Sequence, residues 1–492
     1  MSILGDKLNQ YIEESGYSVN KLATLSGVNR TSIVRMINAN RLPEQHNIEK
    51  LLPYLKLTND QKEGLWKTYE ITSSGESLYE RRQYMLKMMR GVYSPGFSEK
   101  VIQPNKPDLD IPYPDTGKLK DYSILHGRYE VAHRLVLTIL TQPDNDVCVF
   151  APFTNDFISD FFKHFTLKNS NSLHIRHMTH FIKNPCKENH INYNLSILAH
   201  ILPLSFTSNI DYDVYFTYVT APLTPQSQIM YPYYLIIGNC LILISLDFDS
   251  AIFIYSQEMI DEYRKNFNSI ISEAERLVHS TSNIKRLSEY FPPTNIKRSG
   301  FCKFGSQPWL FSLFELDDVI DNLHISDDLR RLIIETAKMH ADSGKKIDSH
   351  ISFFSENGLR LFATDGIIMN FPKDVIPHFN KNMRIKALQK LKEDCCRHGY
   401  IIRAINEQAF PLNPHLSIQV TQENRLAISL IDHEKEEFRV FYMNEPTLMD
   451  AFVDFLEYCA TSPFLCSDLA YSEDRTLEII DECIELVKKP SK

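Results

Sequence analysis

Between Ser18 and Pro43 the chain sets two short helical signals around one glycine, and few folds accommodate that pattern. Ser18 is a residue type that caps helix N-termini, and Val19, Leu22 and Ala23 after it make one short apolar face. Gly27 supplies a turn in which positive φ costs little. Asn29 is a second cap, Ile33, Met36 and Ile37 form the inner face of a second short helix, and Pro43 follows soon after. Upstream, Ile3, Leu4, Leu8, Tyr11 and Ile12 form a helical stripe that Gly16 ends; downstream, Ile48, Leu51, Leu52 and Leu55 form another. A short helix, a glycine turn and a second short helix is the geometry that lays a recognition helix in the major groove of DNA. A small helical bundle that docks on protein is the alternative reading.

The stretch LATLSGVNRTSIVRMINANRLP resembles the Cro/repressor (XRE-type) helix-turn-helix family, in which Leu22-Ala23, Ser26-Gly27-Val28, Ile33 and Pro43 would hold the motif together. The resemblance covers roughly residues 3–57 and implies an all-α DNA-binding head. Two positions depart from the family pattern. Val19 stands where a phosphate-contacting Gln is common, and Ile37 and Ala39 replace a frequent Glu-x-Gly. By position, Arg30, Thr31, Ser32 and Arg35 point outward from the recognition helix. Arg donates bidentately to guanine, and Thr meets a thymine methyl. Asn40 and Arg41 fall where family members touch the DNA backbone. With the cap Asn29, the resemblance implies the DNA-binding set Asn29, Arg30, Thr31, Ser32, Arg35, Asn40 and Arg41.

Charge agrees in sign with such a head. Residues 1–57 carry seven basic and five acidic side chains, a net of +2, on a chain whose formal charge is −9. The whole surface is therefore not built to coat nucleic acid. At 492 residues the chain exceeds one core and calls for roughly three domains. Asp6 lies where a signal peptide needs its apolar stretch. The apolar run around Leu235 to Leu246 is shorter than the about 20 residues that span a bilayer. Nine cysteines without a C-x-x-C pair read as reduced thiols. A cytoplasmic protein without membrane association is expected.

Asn59–Tyr69 and Glu76–Met89 have helical patterns, so residues 58–90 are expected to complete the head or to mediate dimer contacts. The prolines and glycines of residues 91–117 read as an extended linker. A helix is expected near Tyr122 to Leu140. Strands are then expected at Val147–Phe150, Leu173–His177, Val214–Val219, Tyr233–Ile237, Leu241–Leu246 and Ala251–Tyr255, and helices at Asn155–Phe165, Asn194–Leu202 and Glu258–Leu277. This alternation predicts an α/β or α+β region over 118–280. A helical connector at 281–349 and a second such domain at 350–492 would follow.

The second domain echoes the first. YYLIIGNCLILISLDFDSAIFIYSQEMIDEYRKNF and LSIQVTQENRLAISLIDHEKEEFRVFYMNEPTLMDAFVDFL both read strand, turn, strand, loop, strand, helix. Leu243-Ile244-Ser245-Leu246 aligns with Ala427-Ile428-Ser429-Leu430, and Tyr263 and Phe267 with Phe452 and Phe455. Internal duplication is the expectation, with two halves about a pseudo-twofold axis and a ligand groove between them; chance likeness of two hairpins is the alternative.

Signals for chemistry are few. His174, His177 and His180 have a spacing of three, which on a strand sends neighbours to opposite faces, so no metal site is assigned. Cys395-Cys396 are adjacent thiols that read first as small hydrophobes. No P-loop, G-x-G-x-x-G, G-x-S-x-G or H-E-x-x-H occurs, and neither catalytic residues nor a cofactor are assigned. The sequence thus reads as a DNA-binding transcriptional regulator, not an enzyme. Its expected partners are double-stranded DNA, a second copy in a homodimer, and a small-molecule or peptide effector. The alternative is an enzyme or a protein–protein adaptor carrying a DNA-binding head.

Overall fold

The computed structural model describes residues 3–38, 42–93, 121–141, 146–154, 157, 173–185, 190–206, 210–224, 229–281, 301–314, 334, 349–369, 378–421, 425–432, 437–462 and 469–489. The chain is multidomain: a helical N-terminal region precedes a region of mixed sheets and helices. Contacts divide it into two compact units, Met1–Tyr84 and Met85–Lys492.

The first unit is built from α1 (Ile3–Ser15), α2 (Val19–Ser26), α3 (Arg30–Ile37), α4 (Gln45–Leu55), α5 (Asn59–Ser74) and the start of α6 (Glu76–Tyr93). Its core joins Leu4, Leu8, Tyr11 and Ile12 of α1 to Leu22, Ile33, Met36, Ile48, Leu51 and Leu55. The expected boundary at residue 57 is too early. Thr58 and Gln61 form a reciprocal capping box that starts α5. Leu65 and Trp66 are buried, and Lys7 Nζ donates to the Gly64 carbonyl at 2.9 Å, so α5 packs on α1 as part of the head. The expected linker at 91–117 lies outside the described residues, apart from the end of α6 and residue 93 within it.

In the second unit, the helix expected near Tyr122 to Leu140 is two elements. Tyr122–His126 is strand β1, with every second side chain exposed, and Arg128–Thr141 is helix α7. Gly127, at φ 94°, separates them. Strands β2 (Asp146–Phe150), β3 (Leu173–Ile182), β4 (Ile210–Val219), β5 (Tyr233–Ile237), β6 (Cys240–Ile244), β7 (Ser250–Ile254) and β8 (Glu275–Arg276) complete an eight-stranded sheet. Helix α8 (Tyr193–Ser205) connects β3 to β4, and α9 (Gln257–Glu273) follows β7. The helix expected at Asn155–Phe165 lies almost wholly outside the described residues.

A seven-stranded sheet comprises β9 (His279–Thr281), β10 (Phe301–Gly305), β11 (His350–Ser355), β12 (Tyr400–Ile405), β13 (Leu416–Thr421), β14 (Arg425–Asp432) and β15 (Glu437–Met443). Helices α10 (Glu356–Asp365) and α11 (Lys381–Cys395) connect β11 to β12, α12 (Pro446–Thr461) follows β15, and α13 (Glu473–Lys488) ends the fold. The helical connector expected at 281–349 is therefore corrected: β10 is a central strand of this sheet. Its sequence FCKFG has a lysine at its middle and no apolar run to announce it.

The two sheets share one topology. In the first, the order β1-β7-β6-β5-β2-β3-β4 has β2, β3 and β4 parallel and β5, β6 and β7 as an antiparallel meander. In the second, β9-β15-β14-β13-β10-β11-β12 repeats this strand for strand, with β10, β11 and β12 parallel. Helix α9 packs on β2 and β6, α12 on β11 and β13, and the crossover helices take the other face of each sheet. One detail of the expected alignment changes. Leu243 packs under α9, whereas Ala427, in register with Gln419 and Tyr442, faces away from α12. The counterpart of Leu243 is Ile428, because three residues separate β13 from β14 where two separate β5 from β6. A shift by one flips every side chain to the other face.

The pseudo-twofold arrangement is also corrected. Phe206, at the end of α8, meets Phe441 of β15 at 4.4 Å between ring centroids. Asn194 of α8 donates to Thr447 of α12 at 2.8 Å, and Tyr218 of β4 to Glu445 at 2.8 Å. The β4 edge of one half thus meets the β15 side of the other. A twofold would join like to like; this contact is head-to-tail.

Gly358, in the first turn of α10, lies so close to the Ser306 carbonyl that an added Cβ would overlap it. Gly358→Ala is expected to destabilise the second unit by about 1–3 kcal/mol, as overpacking does. Denaturant unfolding followed by circular dichroism measures this, and an unchanged midpoint would contradict the close packing of α10 on the β10 end.

Candidate nucleic-acid interface

Local hydrogen bonds build the α2–α3 unit. The Ser18 side chain accepts from the Lys21 N–H and caps α2, and Gly27, at φ 71°, ends it with its N–H on the Ala23 carbonyl. Ser26 Oγ donates to the Leu22 carbonyl at 2.7 Å and accepts the Val28 N–H at 3.2 Å, which ties the turn to the helix before it. Asn29 Oδ1 accepts the Thr31 N–H at 2.9 Å and starts α3. Burial of Leu22, Val28, Ile33 and Met36 then sets which side of α3 faces out.

Thr31, Val34, Arg35 and Asn38 follow the i, i+3, i+4, i+7 spacing of one helical row, with Arg30 beside them. Arg30, Thr31, Arg35 and Asn38 are exposed and Val34 is half-buried. Neither Arg30 nor Arg35 makes a hydrogen bond or ion pair among the described residues. Ser32, expected to point outward, is half-buried on the flank of this row. Asn29 is exposed, with its side chain occupied as the cap; Asn40 and Arg41 lie outside the described residues. The family resemblance does not point to Val34 and Asn38, although helical spacing from Thr31 locates both.

In the second unit, β3 carries all three histidines and alternation parts them. His174 contacts Asp146 at 3.1 Å and Asp213 at 3.4 Å, and His180 contacts Thr217 at 3.0 Å. His177 faces the opposite way, between the Tyr212 hydroxyl and the Ala151 carbonyl, both at 2.7 Å. Burial pushes its pKa down to about 4, so the ring is neutral. Among the described residues no group of three or more His, Cys, Asp or Glu could hold a metal ion. Cys395 is buried, its thiol pushed up to about 12 by burial, and Cys396 is exposed. No helix of the described residues is long and apolar enough to cross a membrane.

One further group gives no signal in the sequence. Lys303, in the middle of β10, is fully buried, and its Nζ donates to the Pro308 carbonyl at 3.2 Å. Burial pushes its pKa down to about 7 from the ordinary 10.5.

Neither a protein-family model nor a curated protein sequence matches the chain. Among solved structures, TrmBL2, an archaeal chromatin protein described as showing a novel mode of DNA binding, aligns over 56% of this chain and 94% of its own, with 10% identity and a TM-score of 0.21. A likeness of that size establishes neither a shared fold nor a shared function.

Between pH 7 and 10.5 the unfolded chain binds the Lys303 proton more readily than the folded one, so stability rises with pH across this window. Lys303→Met lacks the group. The stability of the wild type relative to this variant is therefore expected to increase as pH goes from 7 to about 10. Urea unfolding of both proteins across that range measures it, and a pH-independent difference would show that the amine is not desolvated.

Proposed function

We propose that this chain is a sequence-specific DNA-binding transcriptional regulator of the XRE type, whose α3 enters the major groove. The observation that carries the reading is the two-sidedness of α3. Ile33 and Met36 anchor one side in the head core, while Arg30, Thr31, Arg35 and Asn38 stand exposed on the other. Capped short helices joined through an αL glycine present such a row to base edges. Arg30 and Arg35 are the base-reading side chains, and Thr31 sits where it meets a thymine methyl. Asn38 joins this set in place of Ser32, and Asn40 and Arg41 touch the backbone. The protein acts in the cytoplasm as a homodimer, because heads of this kind read paired half-sites about one helical turn apart. The two-sheet region is not catalytic; it senses an effector or partner and biases the spacing of the heads.

Arg30→Ala and Arg35→Ala are each expected to weaken operator binding by about 1–3 kcal/mol while changing non-specific binding less. The operator is first found by selecting duplexes from a random library with the full-length protein, and affinities then come from fluorescence anisotropy. Failure to enrich any sequence, or two arginine variants that bind the enriched site as the wild type does, would defeat this reading.

A further inference from the structure

Lys303 occupies the strand where the second sheet changes direction: β10 runs parallel to β11 on one side and antiparallel to β13 on the other. The strand order also reverses there, β10-β11-β12 running one way and β13-β14-β15 the other, and in open α/β sheets ligands bind outside the carboxyl ends of the strands at such a reversal. Lys303 is two residues from the end of β10.

Its surroundings are polar and underused. Ser352 lies beside it in register on β11, and Gln419 on β13. One step along the same face, Gly305 is opposite Ser417, packed so closely that a Cβ added at the glycine would lie 3.0 Å from Ser417 Oγ. Lys303, Ser352 and Ser417 are all more than nine-tenths buried. Among the described residues the hydroxyls of Ser352 and Ser417 have no hydrogen-bond partner. No carboxylate lies within ion-pair distance of Lys303 among the described residues, and its hydrogen-bond acceptor there is the Pro308 carbonyl. Buried cations are ordinarily paired, and buried hydroxyls ordinarily bonded.

The repeated topology supplies an internal control. The matching place in the first sheet is Val149 of β2, which is also fully buried and also faces away from the helix after the meander. Beside Val149 stand His177 and Leu235, and His177 has partners at both ring nitrogens. The fold is therefore satisfied by an apolar residue at this point, and a lysine there answers no need of the sheet.

We infer that Lys303, Ser352 and Ser417 form the binding site for the anionic group, carboxylate or phosphate, of a small effector. The ammonium neutralises the anion, and the two hydroxyls donate to its oxygens. The inference rests on the effector-sensing part of the proposed function and assigns that role to the second sheet.

The test uses full-length protein in thermal unfolding with inorganic phosphate or acetate, at ionic strength held constant with sodium chloride. At least one of the two anions is expected to raise the wild-type midpoint saturably, because a ligand that binds the folded state stabilises it. Lys303→Met, close in volume, is expected to fold and to lose that response entirely. Ser352→Ala is expected to raise the half-saturating concentration about tenfold, as loss of a hydrogen bond to a charged group does. An absent response to both anions, or one that Lys303→Met retains in full, overturns the site. Operator binding by anisotropy is measured on the same samples. A failed anion response with operator binding intact removes this inference alone, whereas loss of operator selection removes the regulator reading and leaves the anion site standing.

Discussion

Every position of β5 and of β11 is buried, so the central strands keep no face for water. That constraint organises the second unit. A strand buried on both sides needs a layer above and a layer below, and parallel pairs need crossovers to supply one of them. Helices α8, α10 and α11 are those crossovers, and α9 and α12 cover the opposite faces. Each buried Leu, Ile or Phe in these layers contributes about 1.5–3 kcal/mol. In the same setting an ammonium is costly. Lys303 therefore stands out physically: it is buried on the sheet face that carries Phe354 and Ile402, with Ser352 and Gln419 beside it in register.

How the halves join follows from a few polar groups that burial forces into pairs. Asn194 binds both the N–H and the carbonyl of Ile182 and also reaches Thr447. Glu445 accepts from the Leu448 N–H, capping α12, and from Tyr218. The cap that starts a helix in one half is thus also the acceptor for a tyrosine of the other. These bonds hold the β4 edge against the β15 side, and the short segment from β8 to β9 carries the chain between the sheets there. With unlike edges in contact, the expectation of a ligand groove on a pseudo-twofold axis loses its basis. The switch point inside the second sheet takes its place as the position with unspent polar capacity.

Local signals determined what the sequence could determine. Ser18, Gly27 and Asn29 act within three or four residues of themselves, through caps and a positive φ, so the head's short helices are legible in the sequence alone. The repeated strand-turn-strand-strand-helix pattern is legible for the same reason: alternation and helical spacing are properties of a few consecutive residues. Tertiary structure decided the rest. Tyr122–His126 is a strand because β7 is there to pair with it. FCKFG is a central strand because β11 and β13 lie on either side, far away in sequence. Ser32 sits on the flank of α3 because packing of Ile33 and Met36 sets the rotation of that helix. The company of Lys303 is drawn from residues 352 and 417, and no short-range pattern brings those together. Burial, strand partners and the direction of packing depend on where distant segments meet, and that information exists only in the folded chain.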